Sequence, residues 1–182
     1  MVKLMGHVAM GLLFALPAWY RWEGRLPLAF VGFVLTTVML PDVDLVLSGV
    51  VPGVHHHGVT HTIVFVTAVA LVLGPLAAAV LTPGVHRRWF PDRDVRITRR
   101  TVGEFVTAGL LVGGLSHVFA DMLSAPDVAD PIEPLWPFVD HAISFDVIYY
   151  SSIWWNLGLL VVAGALHLAV AERHGIGLPR PS

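Results

Sequence analysis

Five apolar runs divide this chain, at about Leu4–Tyr20, Leu26–Leu40, Ile63–Thr82, Phe105–Leu123 and Ile153–Ala171. Crossing a bilayer takes roughly 20 apolar residues, within a range of about 17–25. The third and fifth runs reach that length. The first and fourth reach it with His7 and His117 near their ends. The second is short and stops at Pro41, and the sequence lets it continue through Val43 to Val54 as a partly buried or re-entrant piece. Hydrocarbon offers no partner to a free backbone N–H or C=O, so spanning runs must be helices. Composition points the same way: 55% of the 182 residues are hydrophobic and 13% charged, against about 25% charged in soluble domains. The expected fold is therefore all-α: a polytopic membrane protein of about five transmembrane helices, with residues 1–182 forming one domain. A disordered chain and a nucleic-acid binder are excluded, and the lipid bilayer is the expected partner. Nothing in the sequence sets an oligomeric state.

Lys3 ahead of the first run imitates a signal peptide, but His7 interrupts the run. No small-residue cleavage site follows, and Arg21 and Arg25 lie just beyond, so a retained helix is expected. Six arginines sit in the connection from His86 to Arg100 after the third run, which marks that connection as cytoplasmic. Five spans then place Arg21, Arg25, Arg173 and Arg180 on the same side, with only Lys3 opposite. The N-terminus is expected outside and the C-terminus in the cytoplasm. Trp136, Tyr149, Tyr150, Trp154 and Trp155 suit an interfacial aromatic belt. No internal repeat is present.

The chain carries 10 histidines beside 11 lysines and arginines, and no cysteine, so any metal must be held by imidazole nitrogen and carboxylate oxygen. On the expected topology His7, Asp42, Asp44, His55, His56, His57, His61, His117 and Asp121 come from four segments. All reach the outer membrane boundary. A charge at mid-helix costs about 2.5–3.5 kcal/mol on insertion scales, and ionisable groups in membranes are by default functional. His117 and Asp121 share a helix face at i, i+4, and His57 and His61 have the same spacing. Asp42 and Asp44 can work together only from an irregular helix end. Gly11, Gly58, Gly113 and Gly114 would allow close backbone approach around the cluster. Each feature has a plainer reading: a boundary histidine, a helix cap, a solvated loop, a structural His–carboxylate bond. Their convergence on one face favours a metal site. His86, His167 and His174 fall toward the basic side and are not expected to join it. Asp140 and His141 lie in the outer loop as weaker candidates.

Taken in order, His7-x-x-x-Gly11, Pro41-Asp42-Val43-Asp44, His56-His57-Gly58-Val59-Thr60-His61-Thr62 and Ser116-His117-x-x-x-Asp121 resemble the LexA-regulated, membrane-bound metal-dependent hydrolase family (YdjM-like). Pro134-Leu135-Trp136-Pro137-Phe138 resembles a stretch that follows the last of these motifs in that family. The resemblance runs from His7 to about Phe138. It implies a relation to the zinc-dependent phospholipase C and single-strand nuclease superfamily, hence an all-helical fold around metal ions and hydrolysis of phosphate esters. Carried over, the metal ligands are His7, Asp42, Asp44, His56, His61, His117 and Asp121. His57 stands where the family pattern often has arginine. It either steadies a substrate anion when protonated or adds a ligand.

Seven nitrogen and oxygen ligands exceed the needs of one tetrahedral ion, so two or more divalent ions are expected. Zinc is favoured by the imidazole content, with manganese or iron as alternatives. Two ions can clamp the attacking and leaving oxygens of a phosphate ester and activate water. Asp44 is cast as the water-orienting base as well as a ligand, and Asp42 as a ligand, with His57 facing the substrate. Phospholipid headgroups or other lipid-linked phosphates are the accessible substrates at this boundary. Metal-ion transport is the rival reading, disfavoured by the absence of a repeat. A metal-stabilised structural or interaction protein is another. The His-Glu-x-x-His pattern of zinc proteases is absent, as is the Ser-Gly-His motif of lipid phosphate phosphatases.

Overall fold

The first apolar run does not form one straight helix. In the computed structural model, which describes residues 4–89, 97–127 and 129–175 and, for 85–89, the backbone alone, it folds as α1 (Leu4–Ala15) and α2 (Ala18–Arg21). The break falls at Pro17, which has no amide proton to donate. The Leu16 amide turns to the Leu13 carbonyl at 3.3 Å. The carbonyl of Leu12 is taken instead by His167 Nε2 on the last helix, at 2.8 Å. His167 Nδ1 accepts from the Trp19 indole N–H at 2.8 Å. Indole nitrogen can only donate, so His167 is neutral at Nδ1 and protonated at Nε2. A histidine in an apolar helix thus satisfies a carbonyl that the proline break strands and a buried indole N–H.

The remaining helices are α3 (Leu26–Thr37), α4 (Val43–Leu47), α5 (Ile63–Trp89), α6 (Arg99–Leu123) and α7 (Ile153–Arg173), with a 3-10 turn at Val59–His61. Among the described residues no strand longer than an isolated bridge occurs. Thr62 starts α5 by accepting from the Phe65 amide at 3.0 Å. Thr98 starts α6 by accepting from the Thr101 amide, while Thr101 Oγ1 accepts from the Thr98 amide, a reciprocal cap of the kind that ends frayed helices. α5 contains Pro75 and Pro83, which buried membrane helices tolerate because neighbours satisfy the freed groups.

Three helices, Ile63–Gly84, Arg99–Leu123 and Ile153–Arg173, are long and apolar enough to cross a membrane. α3 is a shorter apolar helix, and α1 ends at the proline break. Three of the five expected spans therefore have the length a crossing needs. The stretch from Val43 to Val54 is α4 and a series of turns, with Val46 and Val50 as much as 72% and 74% exposed.

α6 is the central element, packing against α5, α1 and α3, while α7 packs on α1. Half of the apolar window of α6 is buried in protein, against 22% for α5 and for α7. Glycines make that position possible. A Cβ on Gly113 would stand 3.0 Å from the backbone of Thr37 and Val38, and one on Gly114 2.6 Å from Val66. α6 can thus press its His117 turn directly against the end of α3 and the start of α5. Leu71, Val72, Leu76 and Val80 on α5 and Val161, Val162 and Leu168 on α7 stay exposed, as lipid-facing side chains do. Lys3, Arg180 and residues 90–96 of the basic connection lie outside the described residues. The two ends of that connection are the end of α5 and the start of α6, a full helix length from His61.

Candidate metal centre

The polar residues converge because every segment that carries one ends or turns beside the upper part of α6. α6 itself supplies His117 and Asp121 from one face, one turn apart. α3 ends at Thr37, and the turn after it holds Asp42, with Asp44 in the first turn of α4. His61 closes the 3-10 turn that leads into α5, and His7 lies on α1. His7, Asp44, His61 and His117 are 0% exposed and Asp121 is 1% exposed.

Four atoms form the heart of the cluster. His61 Nε2 and His117 Nε2 are 3.3 Å apart. Asp121 Oδ2 lies 3.2 Å from His117 Nε2 and 3.6 Å from His61 Nε2. Asp42 Oδ1 lies 3.3 Å from His61 Nε2 and 3.4 Å from His117 Nε2. Four ligands about 2.0–2.1 Å from one ion stand about 3.3–3.4 Å apart in a tetrahedron. The separations of His61, His117 and Asp121 from one another, and of Asp42 from the two histidines, are of that size, and the donor set, two imidazoles and two carboxylates, suits zinc and its neighbours.

The hydrogen bonds around the four atoms free them for this task. His117 Nδ1 donates to the Val38 carbonyl at 2.8 Å, which leaves its Nε2 a lone pair. His61 Nδ1 lies 3.1 Å from Asp44 Oδ2, a carboxylate–histidine pair of the kind that orients metal ligands. Asp121 Oδ2 has no hydrogen bond although it is fully buried, and neither ring nitrogen of His7 has one. Buried polar atoms are rarely left unpaired, because each costs about 1–3 kcal/mol. Three such atoms in one place fit a cation-binding site. His7 Nε2 lies 3.6 Å from Asp121 Oδ1, and its ring stacks on that of His117 with centroids 3.7 Å apart. Asp121 can therefore face two positions, one oxygen toward His61 and His117 and the other toward His7.

A second group of donors adjoins the first. Asp42, Asp44 and His56 offer atoms close enough to share an ion, as do His56, His57 and His61, and also His7, Asp42 and His117. All seven residues proposed as ligands from the sequence thus meet. Asp44 is the one whose oxygens are most engaged within the protein: Oδ1 with His56 Nδ1 at 3.1 Å, Oδ2 with His61 and with the Thr60 hydroxyl at 2.9 Å. Asp42 keeps 14% of its side chain exposed, so it forms the solvent edge of the cluster. Burial works against its charged form, but contacts with His117 and His61 outweigh burial and hold its carboxyl well below the usual carboxylate range.

His57 takes a left-handed backbone conformation, φ 63°, uncommon for a residue with a side chain. Its Nδ1 donates to the Asp130 carbonyl, and its buried Nε2 has no partner. Burial, the largest influence, holds its pKa below the ordinary histidine value. The arginine-like role as a standing cation therefore does not suit it near neutral pH. A lone pair at Nε2 does, beside His56 and His61, whose rings lie 4.2 and 4.8 Å away.

Asp140 and His141 are exposed and belong to none of these donor groups. His167 is engaged with Trp19 and Leu12 as described. Two contributors escape the sequence reading. Thr60 steadies Asp44, and its place inside the His56–Thr62 motif was the available signal. Tyr150, assigned from sequence to the aromatic belt, is 2% exposed, and its hydroxyl donates to Asp121 Oδ1 at 3.4 Å. The neighbouring Tyr149, Trp154 and Trp155 remain exposed. Burial beside Asp121 pushes the Tyr150 hydroxyl pKa up, so it stays a donor.

A cavity of about 380 Å³ opens beside the cluster, lined by His55, His56, His57, Thr62, Asp130, Glu133 and Trp136 among others. The Ile63 amide donates to the Pro134 carbonyl at 2.9 Å, which draws the Pro134–Phe138 stretch against the start of α5.

A family model described as YdjM inner membrane protein matches residues 1–178 of the chain. No curated protein and no solved structure gave a match.

Proposed function

The chain belongs to the YdjM inner membrane protein family, and on that premise we propose that it is a membrane-embedded metal-dependent hydrolase of phosphate esters, with lipid headgroups within its reach. One observation carries the reading: His61 Nε2 and His117 Nε2 stand 3.3 Å apart, Asp121 Oδ2 and Asp42 Oδ1 each lie 3.2–3.6 Å from both, and all are buried except Asp42, which keeps 14% of its side chain exposed. A structural metal site would be closed, whereas a catalytic one keeps an open position.

His7, Asp42, His56, His61, His117 and Asp121 would hold the metal, zinc in preference to manganese or iron, with room for a second ion across Asp121 or Asp42. A divalent ion held there supplies Lewis-acid polarisation of a phosphoryl oxygen and acidifies water. The protein's own groups do the rest. The Val38 carbonyl and Asp44 present the Nε2 lone pairs of His117 and His61 inward. Tyr150 steadies Asp121. Asp44, with both oxygens engaged, acts as the positioning residue for His61 and His56. The base role falls better to His57, whose free Nε2 sits between cavity and cluster and can accept a proton. Exposed Val46, Val50, Phe138 and Phe145 around this end of the bundle would seat it at a membrane interface, where lipid phosphates lie. The end of α5 and the start of α6, which flank the arginine-rich connection, stand at the opposite end, and the positive-inside rule would put them in the cytoplasm and the site outside.

Transport asks for polar groups continuing through the bilayer. Below the site, the groove between α3, α5 and α6 is lined by Phe33, Leu73, Leu76, Val106, Leu110 and other apolar residues, with Thr37 its one hydroxyl. Hydrolysis is the better fit. The test is purified protein assayed for bound metal and for turnover of phosphodiesters and phospholipids. At least one equivalent of metal is expected, with chelator-sensitive turnover abolished by His61→Ala. Less than one equivalent in folded protein, or turnover indifferent to chelator, refutes the reading.

A further inference from the structure

Among the described residues, the end of the molecule that holds the cluster has no lysine or arginine to receive a phosphate. Residues 41–62 and 121–150 contain neither lysine nor arginine, yet they hold eight of the 13 acidic residues. A substrate anion arriving there meets a cavity whose lining includes Asp130 and Glu133 but no lysine or arginine. Phosphate sites are ordinarily built with arginine, lysine or helix N-termini, so the vestibule is matched to a different charge. The cavity shows which. Its lining includes His55, His56 and His57 together with Glu133, Asp130 and Trp136. Glu133 is half-buried, and its carboxylate makes no hydrogen bond or ion pair among the described residues. Trp136, 41% exposed, offers the aromatic face that best attracts an ammonium group. The volume of about 380 Å³ lies at the small end of ligand pockets and admits a headgroup.

Resting on the hydrolase reading above, we infer that this cavity is an ammonium subsite, and that the phosphate esters taken by the protein carry a positively charged amine beside the phosphate. The metal would take the phosphate, while Glu133 and Trp136 take the amine. The net charge of such a substrate is near zero, so the acidic vestibule does not repel it as it repels an anionic ester.

The experiment uses the full chain in detergent, loaded with zinc. It compares phosphatidylethanolamine with phosphatidylglycerol of the same acyl chains, and glycerophosphoethanolamine with glycerophosphoglycerol. The ammonium ester is expected to have a kcat/KM about tenfold higher, with Glu133→Gln and Trp136→Leu each cutting that ratio to about threefold or less. Equal rates, or a ratio untouched by both substitutions in folded protein, overturn the inference while leaving the hydrolase standing. A ratio seen in the lipids and missing from the soluble diesters also overturns it, because the preference would then come from the membrane surface. Should no ester turn over, the hydrolase reading falls, and binding decides the subsite. Phosphoethanolamine should bind about tenfold tighter than ethylene glycol phosphate, by calorimetry, with the difference lost in Glu133→Gln. Equal binding removes the subsite as well.

Discussion

Replacing Asp44 with asparagine separates a positioning residue from a base. Asp44 is fully buried and receives three donors: His61 Nδ1 and His56 Nδ1 at 3.1 Å each and the Thr60 hydroxyl at 2.9 Å. Asparagine keeps one oxygen and puts an NH2 in place of the other. Either His61 or His56 then faces a donor with a donor. An unmet buried donor costs about 1–3 kcal/mol, and the His61 lone pair proposed to face a metal loses its support. Loss of an outer carboxylate from a metal-bound histidine typically weakens metal affinity about 10–100-fold, which is the same range expressed in free energy. Asp44→Asn should therefore bind zinc about 10–100-fold more weakly in competition with a chromophoric chelator, while its circular dichroism stays helical. Saturating zinc should restore much of the turnover. Affinity within twofold of wild type, with turnover lost at saturating zinc, would refute the positioning role and return Asp44 to the part of base.

Metal removal should lower thermal stability: at a free zinc concentration 100 times Kd, binding adds about 2.7 kcal/mol, so chelation should drop the unfolding midpoint by roughly 5–10 °C for a chain this size. No shift in a scanning fluorescence melt would speak against a site formed in the folded state alone. Gly113→Ala should destabilise the bundle by about 1–3 kcal/mol, since its Cβ would stand 3.0 Å from the Thr37 and Val38 backbone; a normal melting temperature would mean that α6 and α3 can separate freely. Asp127 accepts from the Ser151 amide and hydroxyl and the Tyr150 amide, and these bonds outweigh the slight burial that opposes its charge and depress its pKa. Its contribution is present above the ordinary carboxylate pKa of about 3.9 and is lost as pH falls through the lower folded value. The stability difference between wild type and Asp127→Asn, read from melts across pH, should accordingly be constant near neutrality and disappear in acid; a difference that persists at pH 2 would show that the charge is not its source.

Much of the site was legible along the chain because apolar runs make polar residues conspicuous. His7, His117 and Asp121 sit where hydrocarbon-compatible residues would otherwise continue, and their i, i+4 spacing places two of them on one helix face whatever the tertiary fold. Asp42 and Asp44 follow Pro41, where the second apolar run stops. The same reasoning set His167 aside, although it is equally polar and apolar-flanked; the packed structure supplies the reason, a proline break on another helix whose stranded carbonyl it satisfies. Tyr150 shows the converse limit. An aromatic residue next to Tyr149 in an outer loop reads as an interfacial anchor, and only the approach of α6 turns it inward to Asp121.

Membrane residence, helical class and the identity of the candidate metal-binding side chains follow from one-dimensional facts, because the bilayer forbids unpaired backbone and penalises isolated charge. Which atom does what is a three-dimensional fact. The choice between Nδ1 and Nε2 of His117 depends on the Val38 carbonyl from α3, and that of His61 on Asp44 from α4. The number of helices long enough to cross depends on where Pro17 breaks α1. The acidic composition of 41–62 and 121–150 was present in the sequence, but only the fold brings Glu133 and Trp136 into one cavity with His57. Segments distant along the chain acquire a shared chemistry once packing brings them within a few ångströms, and no spacing rule reaches across a loop of unknown path.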